Sequence, residues 1–185
     1  MRRLDPLETT ILVIDVQEKL AAAMPAAAVA DVTRAATALL EAAATFGVRV
    51  IATEQYPQGL GHTIAPIAER LAAHASPVIE KVEFSACDNR AFERAWSTTR
   101  SKTAIVLGME AHVCVFQTVR ELTARGVSVL VPIDGVASRR DDHRVAGLEL
   151  CRSTGALLTT METIVFDWLQ RAGTPEFKKI SKLVR

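Results

Sequence analysis

The chain has 185 residues, 49% of them hydrophobic and 23% charged, and its 22 Lys+Arg against 21 Asp+Glu leave a formal net charge of +1. That length predicts one domain over 1–185, large enough to bury a core without a metal or disulfide staple. The even charge balance argues against a dedicated nucleic-acid binder or a polybasic membrane anchor, because both need surplus Lys and Arg to neutralise phosphate.

The opening residues, MRRLDPLETT, carry no apolar stretch of signal-peptide length, and no later run approaches the ~18 apolar residues that span a bilayer, so a cytoplasmic protein is expected. Apolar runs rich in β-branched residues predict strands over 10–14, 49–53, 77–80, 103–107, 128–133 and 156–160. Helical periodicity fills the intervals at 26–46, 64–73, 90–98, 113–125, 142–153 and 163–172, with a last amphipathic piece at 176–183. Gly47, Gly126 and Gly155 stand just past helical segments, where a left-handed cap favours glycine. The alternation predicts parallel strands joined by crossovers, with helices on both faces. Runs such as ILVI and AIVL, apolar throughout, fit strands covered on both sides. The stretch 54–63, EQYPQGLGHT, reads as a loop after a strand end, where an open α/β sheet binds its ligands.

Three residues combine chemistry with position. Asp15 ends the first strand, where it is either a functional acid or a cap on the next turn. Lys81 closes the third strand, either facing the sheet edge or snorkelling at the surface. Cys114 follows the fourth strand near a helix start, where unpaired amides and the helix dipole can lower a thiol's pKa below its usual ~8.5. The alternative for Cys114 is a buried core cysteine. A parallel sheet brings these three strand ends to one edge, and there a carboxylate base, an ammonium and a thiol nucleophile make a covalent apparatus. Tyr56 and Phe84 are candidate substrate-pocket walls, with packing or an oligomer contact as the other reading, while His112, two residues before Cys114, is either a partner of the thiol or a helix-start or pocket-wall residue. Three cysteines, Cys87, Cys114 and Cys151, make a poor disulfide framework and suit a reducing compartment.

In ILVIDVQ, with Asp15 and Gln17, EKVEFSA, with Lys81, and GMEAHVCVFQT, with Cys114, the sequence resembles the isochorismatase-like cysteine hydrolases, the superfamily that includes nicotinamidases and N-carbamoylsarcosine amidase. TEQYPQGLG, GMEAHVCVFQT and VPIDGVASR look closest to its isochorismatase domain-containing subgroup. The resemblance implies a three-layer α-β-α Rossmann-like fold with a six-stranded parallel sheet of order 3-2-1-4-5-6, and an Asp15-Lys81-Cys114 catalytic triad. It also implies a non-proline cis peptide at Met109–Glu110 and an oxyanion hole made by the backbone amides of Glu110 and Cys114. The implied activity is metal-independent hydrolysis of a C–N bond, amide or ureido, in a small molecule through a thioester. No cofactor, nucleic acid or membrane partner is expected, and a homo-oligomer is. Nicotinamidases hold a metal in a pattern resembling DWHP followed by another His. The equivalent stretch here is TEQYPQGLGHT with His62 alone, short of the three or more ligands such a site needs, so no metal is expected. Isochorismatases that cleave a vinyl ether often lack the nucleophilic cysteine, so Cys114 weighs towards C–N cleavage. An isochorismatase-type hydrolase, a non-catalytic metabolite-binding or interaction protein of the same fold, and a thiol redox sensor pairing Cys114 with Cys87 remain as alternatives.

Overall fold

In the computed structural model, which describes residues 3–184, the strand–helix alternation closes into a three-layer α/β fold. Strands β1 (Thr9–Ile14), β2 (Arg49–Gln55), β3 (Val78–Lys81), β4 (Thr103–Met109), β5 (Ser128–Pro132), β6 (Val136–Ala137) and β7 (Leu157–Thr159) form one sheet. Its path is β3-β2-β1-β4-β5-β7, and each pairing between these strands is parallel. This is the expected order, with β7 standing where a sixth strand was read. The addition is β6, two residues that turn back after β5 to pair with the end of β4. A two-residue strand carries no periodicity, so the sequence gives no sign of it.

Nine helices, α1 (Glu18–Ala22), α2 (Ala26–Phe46), α3 (Pro57–Leu60), α4 (Ala65–Ala73), α5 (Arg90–Thr99), α6 (Phe116–Ala124), α7 (Asp141–Ser153), α8 (Met161–Leu169) and α9 (Pro175–Ile180), occur among the described residues. Alternation along β1 divides them between two faces. Ile11 and Val13 pack with α2, α4, α8 and α9, while Leu12 and Ile14 pack with α5, α6 and α7. Burying each such side chain contributes roughly 1.5–3 kcal/mol, which explains why strands covered on both sides are apolar at every position. No helix among the described residues is long and apolar enough to cross a membrane.

Two departures from the sequence expectations lie where the site forms. Strand β2 continues through Glu54 and Gln55, which pair with Glu80 and Lys81 of β3, so the expected loop starts later and contains the single turn α3. Polar side chains on those two residues conceal the strand. The helix expected from 113 is regular only from Phe116, because 111–115 winds as a π turn in which Val113 and Val115 both donate to the Glu110 carbonyl, at 3.0 and 3.3 Å.

The ends of β1 and β4 approach closely. Gly108, at φ 130°, pairs with Ile14, and a Cβ there would come within 1.9 Å of the Ile14 carbonyl oxygen. Only glycine allows β4 to pass this near the residue before Asp15. From β1 the chain proceeds to β2 on one side and β4 lies on the other, so Asp15 sits at the point where the strand order reverses.

Candidate active site

Asp15 follows β1 with φ 51°, a left-handed conformation, and is fully buried. Its carboxylate is not a turn cap: Oδ1 accepts from Thr53 Oγ1 at 2.7 Å and Oδ2 from Lys81 Nζ at 2.6 Å. Lys81 does not snorkel. Both side chains of the ion pair are 0% exposed. The ammonium also donates to Gln55 Oε1 at 2.7 Å and reaches the carbonyls of Glu83 and Phe84 at 3.1 and 3.3 Å. Taking two charges out of water is costly, and this full set of partners is what offsets it.

Cys114 lies inside the π turn and is 6% exposed. Burial pushes its thiol up to about 12; the Asp15 carboxylate adds to the rise and Lys81 opposes it. The expectation of a lowered thiol pKa therefore fails in this fold, because desolvation outweighs whatever the turn's amides supply. Burial likewise pushes Cys87 and Cys151 to about 12, so acidity does not separate the three. Their surroundings do, since the charges beside Cys114, Asp15 and Lys81, are buried, whereas Arg125 and Glu93 near Cys87 are partly exposed to solvent. All three remain free thiols.

The turn is braced from two sides. The Met109–Glu110 peptide is cis. The Glu110 carboxylate, 8% exposed, accepts from Arg139 Nε at 3.1 Å to both oxygens and from the Arg139 amide at 3.1 Å. Burial raises the Glu110 pKa, but these charge-assisted bonds outweigh it and hold the carboxyl below its usual range. On the other side α7 packs against the backbone of the turn. A Cβ at Gly147 would lie 2.6 Å from Ala111 C and His112 N. His112 Nδ1 meets Ser138 Oγ at 3.1 Å, its ring is 4.6 Å from that of His143, and burial holds its imidazole below the usual range.

The remaining candidates line the approach. Tyr56, 54% exposed, borders a cleft of about 290 Å³ whose walls include Glu80, Lys81, Val82, Glu83 and Asn89. Cys114 and Asp15 are not among the residues lining it. The ring of Phe84 is exposed, and its link to the site is the carbonyl facing Lys81. His62 Nδ1 lies 2.9 Å from Glu54 Oε2, while Thr63 N and Oγ1 both donate to Glu54 Oε1 at 2.7 Å. Both Glu54 oxygens are thus occupied, and no three His, Cys, Asp or Glu gather for a metal among the described residues.

Gln17, Thr53, Gln55, Arg139, His143 and Gly147 escaped the sequence reading of roles. Gln17 stands in the ILVIDVQ motif, and its side-chain amide pairs with the backbone of Gln55 as a neighbouring strand would. Its Oε1 accepts from Gln55 N at 2.7 Å, and its Nε2 donates to Gln55 O at 3.0 Å and to Gly61 O at 2.6 Å.

A family model described as the isochorismatase domain matches residues 9–163. The chain is 35% identical to secreted isochorismatase effector Isc1 of Phytophthora sojae (strain P6497), over 99% of this chain and 87% of that protein. It is 32% identical to isochorismatase domain-containing protein 2 of Danio rerio, over 98% of this chain and 89% of the relative. Among solved structures, MAR1 ribonuclease from Caenorhabditis elegans superposes with a TM-score of 0.90 at 34% identity, over 99% of this chain and 92% of that one. The chain therefore belongs to the isochorismatase family, close to the isochorismatase domain-containing proteins.

Proposed function

We propose that this chain is a metal-independent cysteine hydrolase that cleaves a C–N bond, amide or ureido, in a small molecule. The observation that carries this reading is the pairing of the buried Lys81 ammonium and Asp15 carboxylate, 2.6 Å apart, beside the Cys114 thiol. With its thiol held protonated by burial, Cys114 needs a base at hand, and Asp15 is the carboxylate facing it. Sγ attacks the carbonyl carbon as the thiol proton passes to Asp15. The resulting oxyanion is met by the amides of Glu110 and Cys114. The π turn supports that role: Val113 and Val115 share the Glu110 carbonyl, which winds the turn wider than a regular helix around Cys114. Collapse of the intermediate breaks the C–N bond, the departing ammonia or amine takes the proton from Asp15, and a thioester remains. Water then attacks the thioester, giving its proton to Asp15, and the acid leaves as the thiol is restored.

Tyr56, Phe84 and His112 belong to the walls of the substrate site in this reading. The chain acts as one domain over 1–185, in a homo-oligomer and in a reducing compartment such as the cytoplasm. Exposed Val82 and Phe84 beside the site support an assembly, and three free thiols support the compartment. The test is a panel of primary amides and ureido compounds, run beside a vinyl-ether substrate and a short RNA, with ammonia release and hydroxylamine trapping of the thioester as readouts. Wild type should release ammonia and yield a hydroxamate, and Cys114→Ala should do neither while melting within a few degrees of wild type. Cleavage confined to the vinyl ether or the RNA, or full activity in Cys114→Ala, would overturn the reading.

A further inference from the structure

Resting on the Asp-Lys-Cys reading, we propose that Gln55 is a positioning residue: by accepting a hydrogen bond from Lys81 it orients the ammonium on Asp15 and so governs the reactivity of Cys114. An ammonium has three N–H groups at tetrahedral angles. Here Asp15 Oδ2 and Gln55 Oε1 take the two short contacts, 2.6 and 2.7 Å, and the carbonyls of Glu83 and Phe84 share the third direction at 3.1 and 3.3 Å. Gln55 is thus the only neutral side chain among the four acceptors, and without it one N–H of a fully buried ammonium has no partner.

The geometry goes further than satisfying a buried lysine. The Gln55 amide cannot turn over, because its Nε2 donates to Val82 O at 2.8 Å, so Oε1 is the atom presented to Lys81. Its backbone is also fixed, with N and O both held by Gln17. A residue held at its backbone N and O and at its side-chain Nε2 sets a direction as well as a charge balance. The charged groups facing Cys114 are Asp15 from the end of β1, Lys81 from β3 and Glu110 at the start of the turn. Glu110 is matched by Arg139, and His112 follows in the turn with His143 of α7 against it. Lys81 is the cation with the largest effect on the thiol among the described residues, so the group that steers it has leverage over proton transfer.

Gln55→Glu keeps the shape and puts a second carboxylate on Lys81, cutting the positive field at Cys114. Alkylation by iodoacetamide at fixed pH, followed for each cysteine by mass spectrometry, reads that change without a known substrate. Cys114 should react about tenfold more slowly in the variant, the effect of one unit in thiol pKa, while Cys87 and Cys151 keep wild-type rates. Gln55→Met fills the space without hydrogen bonds, and on an amide that wild type hydrolyses it should lower kcat about tenfold with KM within twofold. An unchanged Cys114 rate in Gln55→Glu, or acceleration of all three thiols together through loosening of the fold, would overturn the proposal. If no amide is turned over by wild type yet Cys114 alone slows in Gln55→Glu, the hydrolase reading fails and the positioning role stands.

Discussion

Asp15 and Lys81 answer to each other before they answer to any substrate. Removing either partner of a fully buried ion pair leaves an uncompensated charge, at a cost of about 3–5 kcal/mol, whereas replacing both by neutral groups is far milder. Lys81→Met is therefore expected to lose stability on that scale in urea titrations, and the double variant Lys81→Met with Asp15→Asn to regain most of it. Turnover should vanish in both, so stability and activity would part company, as they must if the pair serves chemistry more than folding. Equal instability of the single and double variants would contradict this account. The gathering of Asp15, Lys81 and Cys114 at one sheet edge was legible because each lies at or shortly after a strand end, and parallel strands converge. Gln55 was not, because its role comes from lying opposite Lys81 in the β2–β3 register, and no spacing along the chain reports a register.

At the scale of elements, the π turn that carries Cys114 depends on how closely α7 approaches it. A glycine inside a helix ordinarily gains about 1 kcal/mol when changed to alanine. At Gly147 the sign reverses, since the new Cβ would lie 2.6 Å from backbone atoms of Ala111 and His112, and overpacking of that kind costs about 1–3 kcal/mol. Gly147→Ala should therefore lower the melting temperature and reduce kcat more than tenfold, because relief of the clash moves α7 or the turn that carries Cys114. An alanine variant as stable and active as wild type would show that the turn does not rely on α7. Helical periodicity over 113–125 hides the turn's form: the periodicity of FQTVRELTA is that of α6, and the π turn before it is set by the carbonyl of Glu110. Glycine at 147 reads as a neutral helix position until the helix–turn distance is known.

Across the whole molecule the periodicity made the parallel, doubly covered sheet legible, while its strand order came only with the family resemblance, because right-handed crossovers leave several orders open. The thiol acidities were not legible, since desolvation is a property of the packed core. Burial pushes Cys87, Cys114 and Cys151 all up to about 12 in the fold, well above an ordinary thiol. A group whose folded pKa is raised contributes stability that is complete below its unfolded pKa and is lost as pH climbs towards the folded one. Between about pH 9 and 12 the unfolded chain sheds three protons that the native chain keeps, so each thiol removes on the order of 1 kcal/mol per pH unit in that window. Urea midpoints measured from pH 7.5 to 10.5 under reducing conditions should fall steeply at the alkaline end, and Cys151→Ala, remote from the site, should flatten that slope by about a third whatever it costs at pH 7.5. A slope that ignores the substitution would mean that the thiols ionise without unfolding. The same burial bears on the proposed hydrolysis: a thiol that solvent does not ionise near neutral pH needs a carboxylate to take its proton, and Asp15 is the one proposed for it.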